Sequence, residues 1–296
     1  MDYFLILIAV LLLALGFILQ KIYQRGSKQT TIGGVDFSIL SAAFSLVLLL
    51  AMSGSSLELS WYSAVNSLLR SACCLAYTVI GFWIMKRGHM ALYMLFLMSG
   101  GMVLPAVWGW LFLGEDVLPL RVIGVAVICV SIALTNRGGG QRPDAKMILA
   151  CVAVFVLNGF VSVFSKLHQV ESVFFTVNTE CYALYGTVAS LLMSLVLRLF
   201  LTRGTKKDSA PREKKPPLKV LVPILIVAAY SVFGSLSSLL QLRGAENLPA
   251  SLLYPMITGG SIVFTSLFAF LFFKERPSRS EWIGIALCFG GTLLFL

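Results

Sequence analysis

Apolar runs of about twenty residues recur along the chain between short polar breaks. They fall at roughly 3–20, 33–53, 64–85, 90–113, 119–136, 146–165, 172–198, 219–242, 249–273 and 281–296. At about 1.5 Å per helical residue, a run of this length covers a hydrocarbon core of about 30 Å. The pattern predicts an all-α polytopic membrane protein with ten transmembrane helices. Two breaks are more strongly polar than the rest. Arg137–Asp144 is Gly-rich, and the basic, Pro-containing loop 202–217 separates the seventh and eighth runs.

The order of the runs repeats. Residues 97–134 laid on residues 257–294, at an offset of 160, match at nine positions. Those that apolar composition alone explains least are Gly100/Gly260, Glu115/Glu275 and Gly124/Gly284. Leu19-Gln-Lys21-Ile-Tyr-Gln24 is echoed by Phe164-Ser-Lys166-Leu-His-Gln169, and Val35-Asp-Phe37-Ser-Ile by Val173-Phe-Phe175-Thr-Val. The chain therefore divides into units 1–140 and 141–296, five spans each, with the basic loop 202–217 inside the second. Because five is odd, the second unit must enter the membrane from the opposite face. The repeat is inverted.

Charge fixes an orientation. Loops after odd-numbered spans hold 19 of the 23 Lys and Arg residues. Basic loops stay cytoplasmic, which places loop 202–217 inside the cell and both termini on the extracytoplasmic side. The expected location is the cell membrane. A formal net charge of +10 could suggest nucleic acid, but these basic residues sit in short loops between apolar runs, so no nucleic-acid partner is expected. The first run lacks a basic leader and a small-residue cleavage site, and it is read as a retained span.

Catalytic chemistry finds little footing. There is no HExxH, GxSxG or Walker A sequence and no pair of carboxylates within one span. No enzyme activity, metal or cofactor is expected. The six cysteines lie inside apolar runs and are read as small packing residues.

Intramembrane ionisable residues point to a solute site. Glu180 lies nine residues into the run that starts at 172, and about 13 Å along a helix from Glu171. Thr176, Glu180, Ala183, Thr187, Ser190 and Ser194 fall on one helical face that suits a wet cavity or close helix packing. Two roles for Glu180 stay open: binding a cationic solute, or exchanging a proton. Arg70 either snorkels to the interface or faces the cavity, there pairing with Glu180 or offering a carboxylate site. Asn66, Cys73 and Tyr77 share its face. Trp108 and Tyr254 are candidates to stack on a cationic solute, whereas Trp61, Trp83 and Trp282 read as interfacial anchors. Pro105 with Gly100-Gly101, and Pro255 with Gly259-Gly260, read as gating helices. Lys21, Lys166, Glu115 and Glu275 lie at span ends, where dipole complementarity and turn capping account for them.

The Phe112-Leu-Gly-Glu115 and Phe272-Phe-Lys-Glu275 corners, with Gly124 and Gly284 nine residues after each Glu and with Lys21 and Lys166 closing the first span of each half, carry a resemblance. The chain resembles the EamA-like branch of the drug/metabolite transporter superfamily over nearly its whole length. The resemblance implies a central cavity lined by the first four helices of each half, with the fifth helices at the periphery. It departs from the family at residues 54–63, which carry no basic residue where many members do. The expected function is secondary-active transport of a small organic solute such as an amino acid or amine by alternating access, with proton coupling through Glu180. A quaternary-ammonium exporter and a non-transporting membrane subunit are the alternatives. The expected partners are that solute, the lipid bilayer and protons, for a monomer or homodimer.

Overall fold

Ten helices make up the described part of this computed structural model, which covers residues 2–26, 31–53, 58–85, 87, 90–135, 144–204, 217–273 and 279–295. They are α1 (Asp2–Gly26), α2 (Thr31–Ser53), α3 (Trp61–Met85), α4 (Met90–Phe112), α5 (Pro119–Thr135), α6 (Ala145–Val170), α7 (Thr179–Gly204), α8 (Pro217–Asn247), α9 (Ala250–Phe273) and α10 (Arg279–Leu293). Eight are long and apolar enough to cross a membrane, while α5 and α10 are shorter. Glu275, the stretch 136–143 and most of loop 202–217 lie outside the described residues.

The packing has the symmetry of two inverted five-helix units. Exchanging each helix for the one five places on turns α1·α8 into α6·α3, α1·α9 into α6·α4, and α2·α8 into α7·α3, and all six pairs are in contact. The pairs α2·α7, α4·α9 and α5·α10 map onto themselves and also touch, as expected around a two-fold axis. Helices α5 and α10 pack on each other and on α4 and α9. That fits a peripheral place.

Close crossings depend on residues without side chains. A Cβ on Gly100 would run into the backbone of Phe155, and one on Gly159 into Leu104, so α4 and α6 meet almost backbone to backbone. A Cβ on Gly101 would sit 2.6 Å from Asn158 Nδ2, and one on Gly260 2.9 Å from Val10 Cγ1. One on Gly259 would meet Thr292 Oγ1. The four gating glycines of the sequence reading are thus contact points between helices.

The turn after α4 needs a glycine for its backbone. Gly114 has φ of 66°, in the left-handed region that residues with a Cβ rarely enter. From this corner Glu115 folds back over Gly109, and its carboxylate accepts Ala250 N–H (2.5 Å) and Ser251 N–H (2.9 Å) at the start of α9. Lys166 complements it by donating to the carbonyls of Ala245 and Leu248, both at 2.7 Å, at the end of α8. An acid at a helix start and a base at a helix end both oppose the macrodipole. The α8–α9 turn is clamped by both.

One boundary differs from the sequence reading, and the difference moves the site. The seventh helix begins at Thr179 rather than near 172. Glu171 ends α6 in an extended conformation, and its carboxylate accepts the N–H groups of Ser172, Val173 and Phe174 at 2.8–3.3 Å. Asn178 then caps α7, its side-chain oxygen accepting Cys181 N–H at 2.8 Å. Five residues, Val173–Val177, are too few to propagate a helix between these stops. The segment 171–178 is an extended strap across one end of the bundle. The echo of Phe37 in Phe175 therefore does not survive: Phe37 is buried in α2, and Phe175 lies exposed in the strap.

Candidate functional site

Because the strap consumes the start of the seventh run, Glu180 stands in the first turn of α7. There it pairs with Arg243 near the end of α8, and the two side chains are 19% and 54% exposed. The acid expected deep in the bundle is at its rim. Thr176 lies in the strap, off any helix, so the expected face of α7 holds only from Glu180 onward. That face serves close packing: Ser190 Oγ donates to Ser71 Oγ (3.4 Å), and Ser71 Oγ donates to Gly186 C=O (3.1 Å).

Arg70 moves the other way. Helix α3 starts at Trp61, which puts Arg70 nine residues and about 13 Å along it. The guanidinium turns inward, not toward the interface. Nε donates to Ser165 Oγ of α6 at 2.9 Å, and the Ser165 hydroxyl in turn donates to Val161 C=O. Nη1 lies 3.2 Å from where a Cβ on Gly186 of α7 would be, so the bare glycine leaves it room. Snorkelling is ruled out by this geometry, and so is pairing with Glu180, whose carboxylate is engaged elsewhere.

The shell around Arg70 is made of hydroxyls and rings. Tyr254, from α9, donates to Ser162 C=O at 2.6 Å. Tyr182, from α7, donates to Asn66 Oδ1 at 2.8 Å and stacks on His168 with ring centroids 3.7 Å apart. Tyr77 accepts from Cys74 Sγ at 3.3 Å. Helices α3, α6, α7 and α9 are thus tied together by hydrogen bonds around Arg70, Ser165, Ser162 and Asn66. Among the described residues, no carboxylate lies within ion-pairing distance of Arg70; the two ion pairs found are Arg198–Asp36 and Arg243–Glu180.

Above Arg70 the bundle end is tied shut. Ser60 Oγ donates to Phe175 C=O, and Ser63 Oγ accepts Val177 N–H (3.1 Å) and bonds His168 Nε2 (2.9 Å). Asn178 N–H and Tyr185 Oη both donate to Glu58, and Thr179 Oγ1 donates to Glu246 at 2.6 Å. These bonds bind the strap and the heads of α3, α6, α7 and α8 into one closed layer. The N–H groups of Val173, Phe174 and Ser172, with the Tyr62 hydroxyl, hold the Glu171 carboxyl below its usual range.

The remaining candidates fall outside this group. Trp108 packs at a tilt on Phe112 and edge-on against Phe160, with centroids 4.4 and 6.2 Å away, and no hydrogen bond or ring contact links it to the Arg70 shell among the described residues. Pro105 removes the N–H that would bond Gly101 C=O, and Ser162 Oγ supplies the missing donor at 3.1 Å. The break in α4 is therefore buttressed by α6. Pro255 is buried within α9. The sequence reading missed Ser165, Tyr182, His168 and Ser63. Asn158, Ser162, Ser165 and Gln169, spaced 4-3-4 on α6, were the available signal.

Comparison with known proteins agrees with this architecture. One solved structure, described only as a crystal structure of a protein, is similar with a TM-score of 0.72. The match covers 99% of this chain and 95% of the other at 17% identity, a likeness of fold. No curated protein matches significantly. The sequence pattern of the EamA-like transporter family matches residues 144–296, more than half of the chain. With the paired five-helix units, the closed layer and the polar group beneath it in view, the chain belongs to the EamA-like transporter family.

Proposed function

We propose that the protein is a secondary-active transporter that moves a small organic solute by alternating access, and that the solute sits against Arg70. One observation carries the reading. A charged residue inside the span faces inward, on a shell of side chains drawn from α3, α6, α7 and α9, beneath a hydrogen-bonded layer that closes one end. Charge within a membrane span is costly and marks a solute or ion pathway by default. Helices from both inverted units contribute, so rocking one unit against the other would expose the same group to each side in turn.

The basic loops make the strap end extracytoplasmic, which gives the structure a closed outer face. The protein would sit in the cell membrane with both termini outside, and a reporter fused after residue 296 should read extracytoplasmic. The transport reading is tested by reconstituting the purified protein in liposomes and measuring uptake of a chemically broad solute panel. Saturable, protein-dependent uptake of at least one solute supports it. Its absence across anions, cations and neutral solutes would favour a non-transporting membrane subunit.

A further inference from the structure

Resting on the transport reading above, we propose that the solute is an organic monocarboxylate whose carboxylate is held by the two terminal nitrogens of Arg70. A guanidinium carries five N–H donors in a planar fork. At Arg70 the Nε donor is bound to Ser165 and Nη1 packs against Gly186, while among the described residues neither terminal nitrogen has a hydrogen-bond partner, which leaves the edge that matches a carboxylate. Inside a membrane span an unneutralised cation is expensive, and a bound anion would remove that cost.

The shell selects the charge. Acids elsewhere are committed at helix ends: Glu115 on the start of α9, Glu180 on Arg243, Glu246 on Thr179, Asp36 on Arg198. The other buried base near the site, Lys166, is occupied by the two α8 carbonyls. Among the described residues at the site, Arg70 is then the cation without a paired acid, which matches one negative charge. A phosphate monoester carries close to two at neutral pH. The same positive charge repels cationic amines and quaternary-ammonium compounds. The neighbouring phenols are uncharged and engaged, Tyr182 on Asn66 and Tyr254 on Ser162, and among the described residues no acid pairs with Arg70 or stands ready to hold an ammonium group.

The test uses the purified full-length protein in liposomes with labelled lactate, benzoate, tetraethylammonium and glycerol phosphate, and with lactamide and benzamide as unlabelled competitors. The expected result is saturable uptake of at least one carboxylate that its amide does not inhibit. Arg70→Gln should weaken apparent affinity about 100-fold. Arg70→Lys, which keeps the charge but loses the fork, should fall between it and wild type. Melting of the ligand-free protein separates binding from folding, since Arg70→Gln should melt at or above the wild-type temperature. Carboxylate uptake with wild-type affinity in Arg70→Gln would overturn the proposal. So would uptake limited to tetraethylammonium or glycerol phosphate, and either result would leave the transport reading standing. No uptake of any of the four would overturn the carboxylate proposal, and the transport reading would then stand or fall on the broader panel above.

Discussion

Glu180→Gln separates a rim latch from a working acid, because the two readings differ in magnitude. In the structure the carboxylate pairs with an Arg243 side chain that is 54% exposed, and it lies in the first turn of α7. A pair this exposed is worth about 0–1 kcal/mol after solvent screening. An acid at a helix start adds about 0.3–1 kcal/mol through the macrodipole. Together they come to about 1 kcal/mol, roughly a fivefold change in the balance between closed and open states of that end. Glu180→Gln and Arg243→Gln should each keep solute flux in liposomes within about fivefold of wild type. The double variant should be no worse than the stronger single one, since both remove the same pair. An essential proton or cation acid would instead cost transport altogether. A well-folded Glu180→Gln variant with no detectable flux would refute the latch and return the acid to the transport pathway.

Three further outcomes follow from the geometry. Lys166→Met leaves the carbonyls of Ala245 and Leu248 without their donor. Each orphaned carbonyl costs about 1–3 kcal/mol, partly offset by no longer burying an ammonium, so melting in detergent should fall by several degrees; an unchanged melting curve would remove the clamp. Ser162→Ala should destabilise by about 1–2 kcal/mol because Gly101 C=O loses its donor, and Pro105→Ala should be tolerated with flux within about twofold; a large loss of flux in Pro105→Ala alone would restore α4 as a hinge. The Glu171 carboxyl is lowered by the N–H groups it accepts, so its hold on residues 172–174 is present above the unfolded carboxylate range and lost as pH falls through the lower folded value. Amide exchange at Val173 and Phe174 should therefore keep its protection to lower pH than an ordinary glutamate would allow, and loss already within the unfolded carboxylate range would contradict the anchoring.

The helix count and the helix-end places of Glu115 and Lys166 were legible because apolar run length and end position each have one physical meaning. The depth of the site residues was not. A short run of Val and Phe looks alike to a hydropathy count whether it is helix or extended chain. Here the strap's start at Glu171 and the cap at Asn178 decided the matter through hydrogen bonds to backbone N–H groups. That slip of seven residues put Glu180 too deep. The mirror error set Arg70 too shallow, since Trp61 was read as an anchor outside the span when it is the first residue of α3. Which way Arg70 turns was out of reach of one sequence, because Ser165 comes 95 residues later.

The duplication also explains where the chemistry is. Lys166 and Glu115, which recur in the sequence as Lys21 and Glu275, serve helix ends. Carrying the offset of 160 back into α3 and α8 sets Arg70 opposite Tyr230 and Ser71 opposite Ser231. The packing supports that correspondence. Arg70 reaches over Gly186 of α7, and Tyr230 meets Phe37 of α2 with ring centroids 4.9 Å apart, the equivalent contact of the exchanged helix pair. A charge over a bare glycine on one side thus faces an aromatic contact on the other. Two equivalent cations near the axis would repel each other and double the cost of bare charge in the membrane, whereas one charge and one ring pair can be neutralised by a single anionic solute. The helix pairing is common to both halves, whereas Arg70, the residue proposed to hold the solute, has an uncharged counterpart in Tyr230.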